Sequence, residues 1–365
     1  MESLEPVGAP DVESVERKLA EMWRAASSEE QPVVRASMHT LVVACDTAED
    51  ARETTAAVAL LSENHPGRAI VLSGVRETAR PAEPLAVFVS AHCHRGPGGA
   101  VVCSEQVTLE AARSAMPLVP ATILRLLVED TPVFVWWRRA AFAADPLWEP
   151  LARMSDRFLV DTARHADPAG ALRDLAALSG LARWRGSAGD FAWTRLERWR
   201  EAVASFFDSP LTRRHLEGIA RVEVIAGGPA GPTGSTVAAA YLVGWLASRL
   251  TWSRGSKGWS WRRRDRKAVR GVASCDDDAG RGDLVAVRID APGGEPPARF
   301  RAERVAAGAD IVRLTVDVEG TCPLPSSLKL GELDDAALLC RELERTSRDA
   351  LFEAALAEAA AAVAR

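Results

Sequence analysis

Residues 131–137, Thr-Pro-Val-Phe-Val-Trp-Trp, form a continuous run of β-branched and aromatic side chains with no polar alternation. A strand wetted on one face alternates with a period of two, so an unbroken run calls for burial on both faces. That condition is met in the middle of an α/β sheet. Helix-like segments flank the run, Asp130 precedes it and Arg138-Arg139 close it. Trp136 and Trp137 are expected to point to opposite faces of the sheet. Two roles stay open for them: core packing, or a ligand surface at the carboxyl end of the strand, where open α/β sheets hold ligands.

The segments around this run support the same class. Residues 38–45 read as a strand, 47–63 as an amphipathic helix, and 69–73 as a second strand after the turn His65-Pro66-Gly67-Arg68. Strand, helix and strand in that order predict a βαβ unit with parallel strands. Residues 85–94 and 101–109 look like a strand pair, and 111–128 a helix interrupted at Pro117 and Pro120. The stretch 183–189 is the expected linker. Beyond it, Thr194 and Glu197 have the spacing of a capping box, and Leu196, Trp199, Val203 and Phe206 fall on one helical face. Four further strands, at 268–274, 283–289, 299–305 and 311–318, predict a mostly antiparallel sheet, followed by helical sequence from 334 to 364. The expected organisation is an N-terminal segment with one helix (1–34), an α/β domain whose mainly parallel mixed sheet is flanked by helices (35–186), and a C-terminal α+β domain (187–365).

A net charge of −5 argues against a dedicated nucleic-acid binder, although local basic patches remain possible. Lys18, Lys257, Lys267 and Lys329 are the only lysines among 45 basic residues, a bias that points to a GC-rich genome. The N-terminus lacks a basic start followed by an apolar stretch, and the most apolar segment, 237–247, is too short to span a bilayer. A cytoplasmic chain is expected, with six reduced cysteines, because no CxxC pair occurs and cytoplasmic thiols ordinarily stay reduced.

Three stretches could bear chemistry. His92-Cys93-His94 could place two histidines on one face of a strand, without an evident third metal ligand. Residues 227–236 lie between a strand and a helix, where the backbone at Gly231, Thr233, Gly234, Ser235 and Thr236 could hold an anion, though neither a Walker loop nor GxGxxG is present. Residues 252–267 interleave Trp252, Trp259 and Trp261 with Arg254, Lys257, Arg262, Arg263, Arg264, Arg266 and Lys267. Such a pattern suits single strands of nucleic acid, an acidic protein surface or a phosphorylated ligand, or a solvated hairpin. With no G-x-S-x-G nucleophile and no paired carboxylates, nothing argues for catalysis, and neither a cofactor nor a metal is expected.

Residues 190–208, Asp-Phe-Ala-Trp-Thr-Arg-Leu-Glu-Arg-Trp-Arg-Glu-Ala-Val-Ala-Ser-Phe-Phe-Asp, resemble the OpcA family, the bacterial glucose-6-phosphate dehydrogenase assembly proteins. Leu41-Val42-Val43, His65-Pro66-Gly67-Arg68, Cys103-Ser104-Glu105, the run ending in Trp136-Trp137, Asp156-Arg157 with Val160-Asp161, and residues 241–252 continue the resemblance in order. It implies a non-enzymatic protein that favours the assembled, active form of glucose-6-phosphate dehydrogenase in the oxidative pentose phosphate pathway, in some members under thiol control. It transfers a role and no catalytic residues. The expected partner contacts are Arg195 and Arg198, off the apolar stripe, together with Trp259, Trp261, Arg262, Arg263 and Arg264. The alternative is a sugar-phosphate- or nucleotide-binding protein using residues 227–236.

Overall fold

The computed structural model describes the chain apart from residues 1–11, 27–32, 77–84, 96–100, 182–183, 228–233, 256–257, 277–278, 280–282, 321–323, 332 and 364–365. The chain forms two compact units, and neither is one continuous segment. The first comprises Met1–Val160, Leu181–Gly189 and Asp334–Arg348; the second Asp161–Gly180, Asp190–Leu333 and Asp349–Arg365. A break near residue 187 is the expected one; by contacts, the helix Pro168–Leu178 groups with the second unit and the helix Asp335–Leu343 with the first.

The first unit is built on strands β1 (Val33–Arg35), β2 (Thr40–Cys45), β3 (Arg68–Arg76), β4 (Leu85–Arg95), β5 (Val101–Ala112), β6 (Val133–Arg138), β7 (Arg157–Val160) and β8 (Ser187–Asp190). Their order is β1-β5-β3-β2-β6-β7-β8, with β4 on β5. The pairings from β1 through β7 are parallel, and β4 runs antiparallel to β5. The run at 131–137 is β6, between β2 and β7, and it is buried on both faces as its composition requires. The β2–helix–β3 unit forms as expected. Thr47 caps the helix Ala48–Leu61 by accepting from the Asp50 amide at 3.0 Å, and the Asp50 carboxylate accepts from the Thr47 amide at 3.2 Å. In β3 the register shifts between Leu72 and Val75, where Gly74 has φ +71° and a Cβ would collide with the Asp46 carbonyl. The expected linker is partly strand: β8 is buried throughout and takes the sheet's last position.

The second unit carries β9 (Arg221–Gly227), β10 (Ser253–Arg254), β11 (Ser260–Arg262), β12 (Ala268–Asp276), β13 (Leu284–Ala291), β14 (Ala298–Arg304), β15 (Ile311–Val318) and β16 (Ser326–Lys329). They lie in the order β10-β11-β12-β9-β13-β14-β15-β16, antiparallel except where β12 meets β9. The nearly all-apolar helix Gly234–Arg249 packs on β9 and β12 and against the helices Pro168–Leu178 and Ala350–Val363. Gly244 permits that approach, since a Cβ there would lie 2.9 Å from the Ala355 carbonyl oxygen. Two mixed sheets flanked by helices, one mainly parallel and one mainly antiparallel, make this an α/β protein with the expected fold class.

Candidate functional site

The carboxyl end of the parallel sheet, where a ligand would first be sought, is filled by the protein's own ion pairs. Arg138 reaches Glu53 at 2.8 Å, and Arg139 reaches Asp145 at 2.7 Å while donating to the Cys45 carbonyl at 3.1 Å. Trp136 and Trp137 are both buried. Trp137 sits 5.1 Å from Trp148 and 5.9 Å from Phe158, centroid to centroid, and donates to the Ala141 carbonyl. Both tryptophans are core residues, which decides between their two roles.

Several motifs that carry the resemblance prove to be halves of buried couples. Gly67 donates its amide to the Ser104 hydroxyl at 3.2 Å, and Arg68, buried, pairs with Glu105 at 2.8 Å and with Glu16 at 2.6 Å. His65-Pro66-Gly67-Arg68 and Cys103-Ser104-Glu105 thus form one construction. Asp156 accepts from the Val133 amide at 2.8 Å, fixing the start of β6, and Arg157 pairs with Glu342 at 2.6 Å out of water. These residues organise the fold.

The segment after β8 differs in detail from its expected cap. Its N-cap is Asp190, which opens a short helix Phe191–Arg195, and Leu196 separates this from the helix Glu197–Ser205. The Thr194 hydroxyl donates back to the Asp190 carbonyl at 3.3 Å, so Thr194 and Glu197 make no capping box. The apolar stripe holds: Leu196, Trp199, Val203 and Phe206 are all buried. Arg195 donates two hydrogen bonds to Asp161, at 2.8 and 2.7 Å. Arg198 is paired with Glu201 and donates to the Lys329 carbonyl at 3.2 Å, with its side chain 37% exposed. Arg200 instead lies inside, its guanidinium 3.5 Å from the Trp193 ring centroid.

The described residues of 252–267, which do not include Lys257, carry the paired strands β10 and β11 and the turn into β12, and they divide by direction. Trp261 is 1% exposed and donates its indole N–H to Glu358 at 2.9 Å. Arg263 is buried, paired with Asp265 at 2.7 Å and bonded to the Ile219 carbonyl. Both belong to the interior, which corrects their expected place on a contact surface: Trp261 is the inward position of β11, and Arg263 is held inward in the turn after it. Trp259 is half-buried beside Gly271, while Arg262 and Arg264 are exposed. The expected anion loop lies largely outside the described residues, Gly231 and Thr233 included. Gly234, Ser235 and Thr236 form the first turn of the helix Gly234–Arg249.

A second correction concerns the thiols. Cys93 and Cys103 are bonded as a disulfide, with a Cα–Cα distance of 4.1 Å, because the β4–β5 register sets them directly opposite. His92 bonds to Gln106 at 3.0 Å, and among the described residues no group of three or more His, Cys, Asp or Glu side chains is arranged for a metal.

A cavity of about 980 Å³ in the second unit takes Trp252, Arg263, Arg264 and Lys267 from the basic and aromatic stretch, together with residues near 213–218, 249–251 and 293–295. The stretch 252–267 marks one side of it, while Arg213, Arg214 and Arg249 come from segments that carry no motif.

Comparison with known proteins gives two family-model matches in chain order. Residues 41–177 match the glucose-6-phosphate dehydrogenase subunit N-terminal domain of the OpcA type, and residues 187–356 the corresponding C-terminal domain. Three curated relatives carry the name OxPP cycle protein OpcA. The protein of Nostoc punctiforme is 26% identical over 75% of this chain and 61% of its own length. That of Synechocystis is 24% identical over 81% of this chain and 63% of its own, and that of Synechococcus elongatus 26% over 82% and 72%. The chain thus spans less than two thirds of the length of the first two. A solved oxidoreductase from Sinorhizobium meliloti aligns over 90% of this chain and 89% of its own, with a TM-score of 0.44 and 12% identity, too distant to bear on function.

Proposed function

Because the chain belongs to the OpcA family of the oxidative pentose phosphate cycle, we propose that it is a non-enzymatic assembly factor that favours the oligomeric, active form of glucose-6-phosphate dehydrogenase. The observation carrying this reading is the match of both subunit domain models, in order, over most of the chain. The structure is compatible with it in a specific way: the charged residues of its best-marked motifs are committed to ion pairs within the chain, buried for Arg68 and Arg157 and partly buried for Arg195. Of the expected contact set, Arg262 and Arg264 are exposed, while Arg195 and Arg198 are half-buried. Arginine suits such a role because its planar fork pairs with carboxylates on a partner.

The test is NADPH formation by the cognate dehydrogenase with and without this protein, scanned over dehydrogenase concentration. A ligand that binds the assembled state stabilises it by mass action, so activation should be greatest where the enzyme is most dilute. The protein alone should form no NADPH. Absence of activation at every concentration would reject the assembly role.

A further inference from the structure

The cavity in the second unit is of small-molecule size, about 980 Å³. Six basic side chains border it against three acidic ones, Glu217, Asp265 and Glu295. Asp265 is already paired with Arg263 and, at 3.9 Å, with Lys267. Arg213 is held by the carbonyls of Phe207 and Asp208. That leaves Arg214, Arg249 and Arg264 without a carboxylate partner among the described residues; Arg264 bonds only to the Thr251 hydroxyl, at 3.1 Å. Arg249 stands in the last turn of the helix Gly234–Arg249, where it offsets the negative end of the helix dipole. Arg214 and Arg264 are the cations left over, in a lining that also carries Glu217 and Glu295.

The floor of the cavity is unlike its rim. Gly218 meets the turn Gly293-Gly294 backbone to backbone: a Cβ on Gly218 would lie 2.9 Å from the Gly294 nitrogen. No side chain therefore separates a ligand from the main chain there. Directly behind this turn is His215, fully buried, with neither ring nitrogen hydrogen-bonded. Its Nδ1 is aimed at Gly294, where a Cβ would collide with it. Burial, and then the neighbouring Arg214, hold its pKa below the ordinary value, so near neutral pH the ring is an uncharged donor and acceptor. A buried polar group without a partner costs stability, and native proteins keep few of them.

We propose that this cavity binds a phosphate monoester, its phosphate held by Arg214 and Arg264 at the rim and its organic part set against the glycine floor over His215. Two guanidinium groups match the oxygens of a phosphate dianion in charge and geometry. The uncharged, backbone-lined floor suits hydroxyl groups. The His215 ring lies against Gly294 of that turn, so a ligand seated on the turn alters the ring's surroundings. This site is distinct from residues 227–236 and does not depend on the assembly role.

The experiment is calorimetric titration of the full chain, without the dehydrogenase, using glucose 6-phosphate, inorganic phosphate and glucose as probes. Saturable binding of glucose 6-phosphate is expected, with inorganic phosphate weaker and glucose silent. The double variant Arg214→Gln, Arg264→Gln replaces exposed side chains, so it should keep its melting temperature while binding falls at least about tenfold. The His215 ring signals in the NMR spectrum should move on titration of the wild type and stay still in the variant. No saturable binding up to about 10 mM, equal binding of glucose or of phosphate alone, or full affinity in the variant would each overturn the proposal. Since the dehydrogenase is absent, such a failure says nothing against the assembly role, and a failed activation assay says nothing against the cavity.

Discussion

Asp190 accepts four hydrogen bonds in the interior of the second unit, from the amides of Thr162 and Ala192 and the hydroxyls of Thr162 and Tyr241. Burial, and then the charge of Asp161, nonetheless raise its pKa to about 6, against the pull of those donors. A carboxyl with a raised folded pKa holds its proton longer in the folded state than in the unfolded one. Stability from this group is present below about pH 4 and is lost as pH climbs to about 6, a span worth about 3 kcal/mol. Asp190→Asn should flatten that segment of the melting-temperature profile; an unchanged slope between pH 4 and 6 would assign it to other groups. Arg195 neutralises Asp161 from two sides, so Arg195→Ala should lower stability by about 1–2 kcal/mol and steepen the same slope. Arg198, paired at the surface, should cost under about 0.5 kcal/mol when replaced by Ala. If Arg198 and Arg262 meet the dehydrogenase, their joint replacement weakens its binding at an unchanged melting temperature. Intact binding would move the contact elsewhere.

At the scale of elements, periodicity carried what it physically encodes. The unbroken apolar run located the central strand β6, and the 3.6-residue stripe at Leu196, Trp199, Val203 and Phe206 located a buried face. Trp199→Ala should therefore cost about 3–5 kcal/mol, measured by chemical unfolding. The cap of that segment was misread because Asp190 and Thr194 both have capping chemistry, and only tertiary partners, Thr162 and Tyr241, favour Asp190. The cavity was only half legible for a related reason: one side is the basic stretch at 252–267, but Arg213, Arg214 and Arg249 come from separate stretches and its floor consists of glycines that leave no pattern. The pairing of Cys93 with Cys103 is likewise a property of register, not of spacing. Unfolded, non-reduced protein should titrate two fewer thiols than reduced protein, and equal counts would deny the bond. Cys93→Ala should lower stability by about 2–3 kcal/mol under oxidising conditions, since it opens a short loop, and by much less under reducing ones.

For the whole molecule, the order of segments decides what can be cut away. A fragment of residues 1–186 looks like the natural N-terminal half, yet it omits Asp334–Arg348 of the first unit. That segment holds the helix Asp335–Leu343, with Leu338 and Leu339 fully buried, and Glu342, the partner of buried Arg157. Leaving a buried charge unpaired costs about 3–5 kcal/mol, and two buried leucines contribute about 3–6 kcal/mol more. Together these approach the whole stability of an ordinary domain, about 5–15 kcal/mol. The complementary fragment 187–365 loses the helix Pro168–Leu178, whose Ala171, Leu172 and Leu175 are buried, and also Asp161 and Thr162, which serve Arg195 and Asp190. Neither fragment alone should unfold cooperatively in urea followed by circular dichroism. Co-expression of the two supplies every missing segment and should restore a cooperative transition. A sigmoidal transition from residues 1–186 alone would mean that Arg157 finds another partner, and that the helix Asp335–Leu343 decorates the first unit without supporting it.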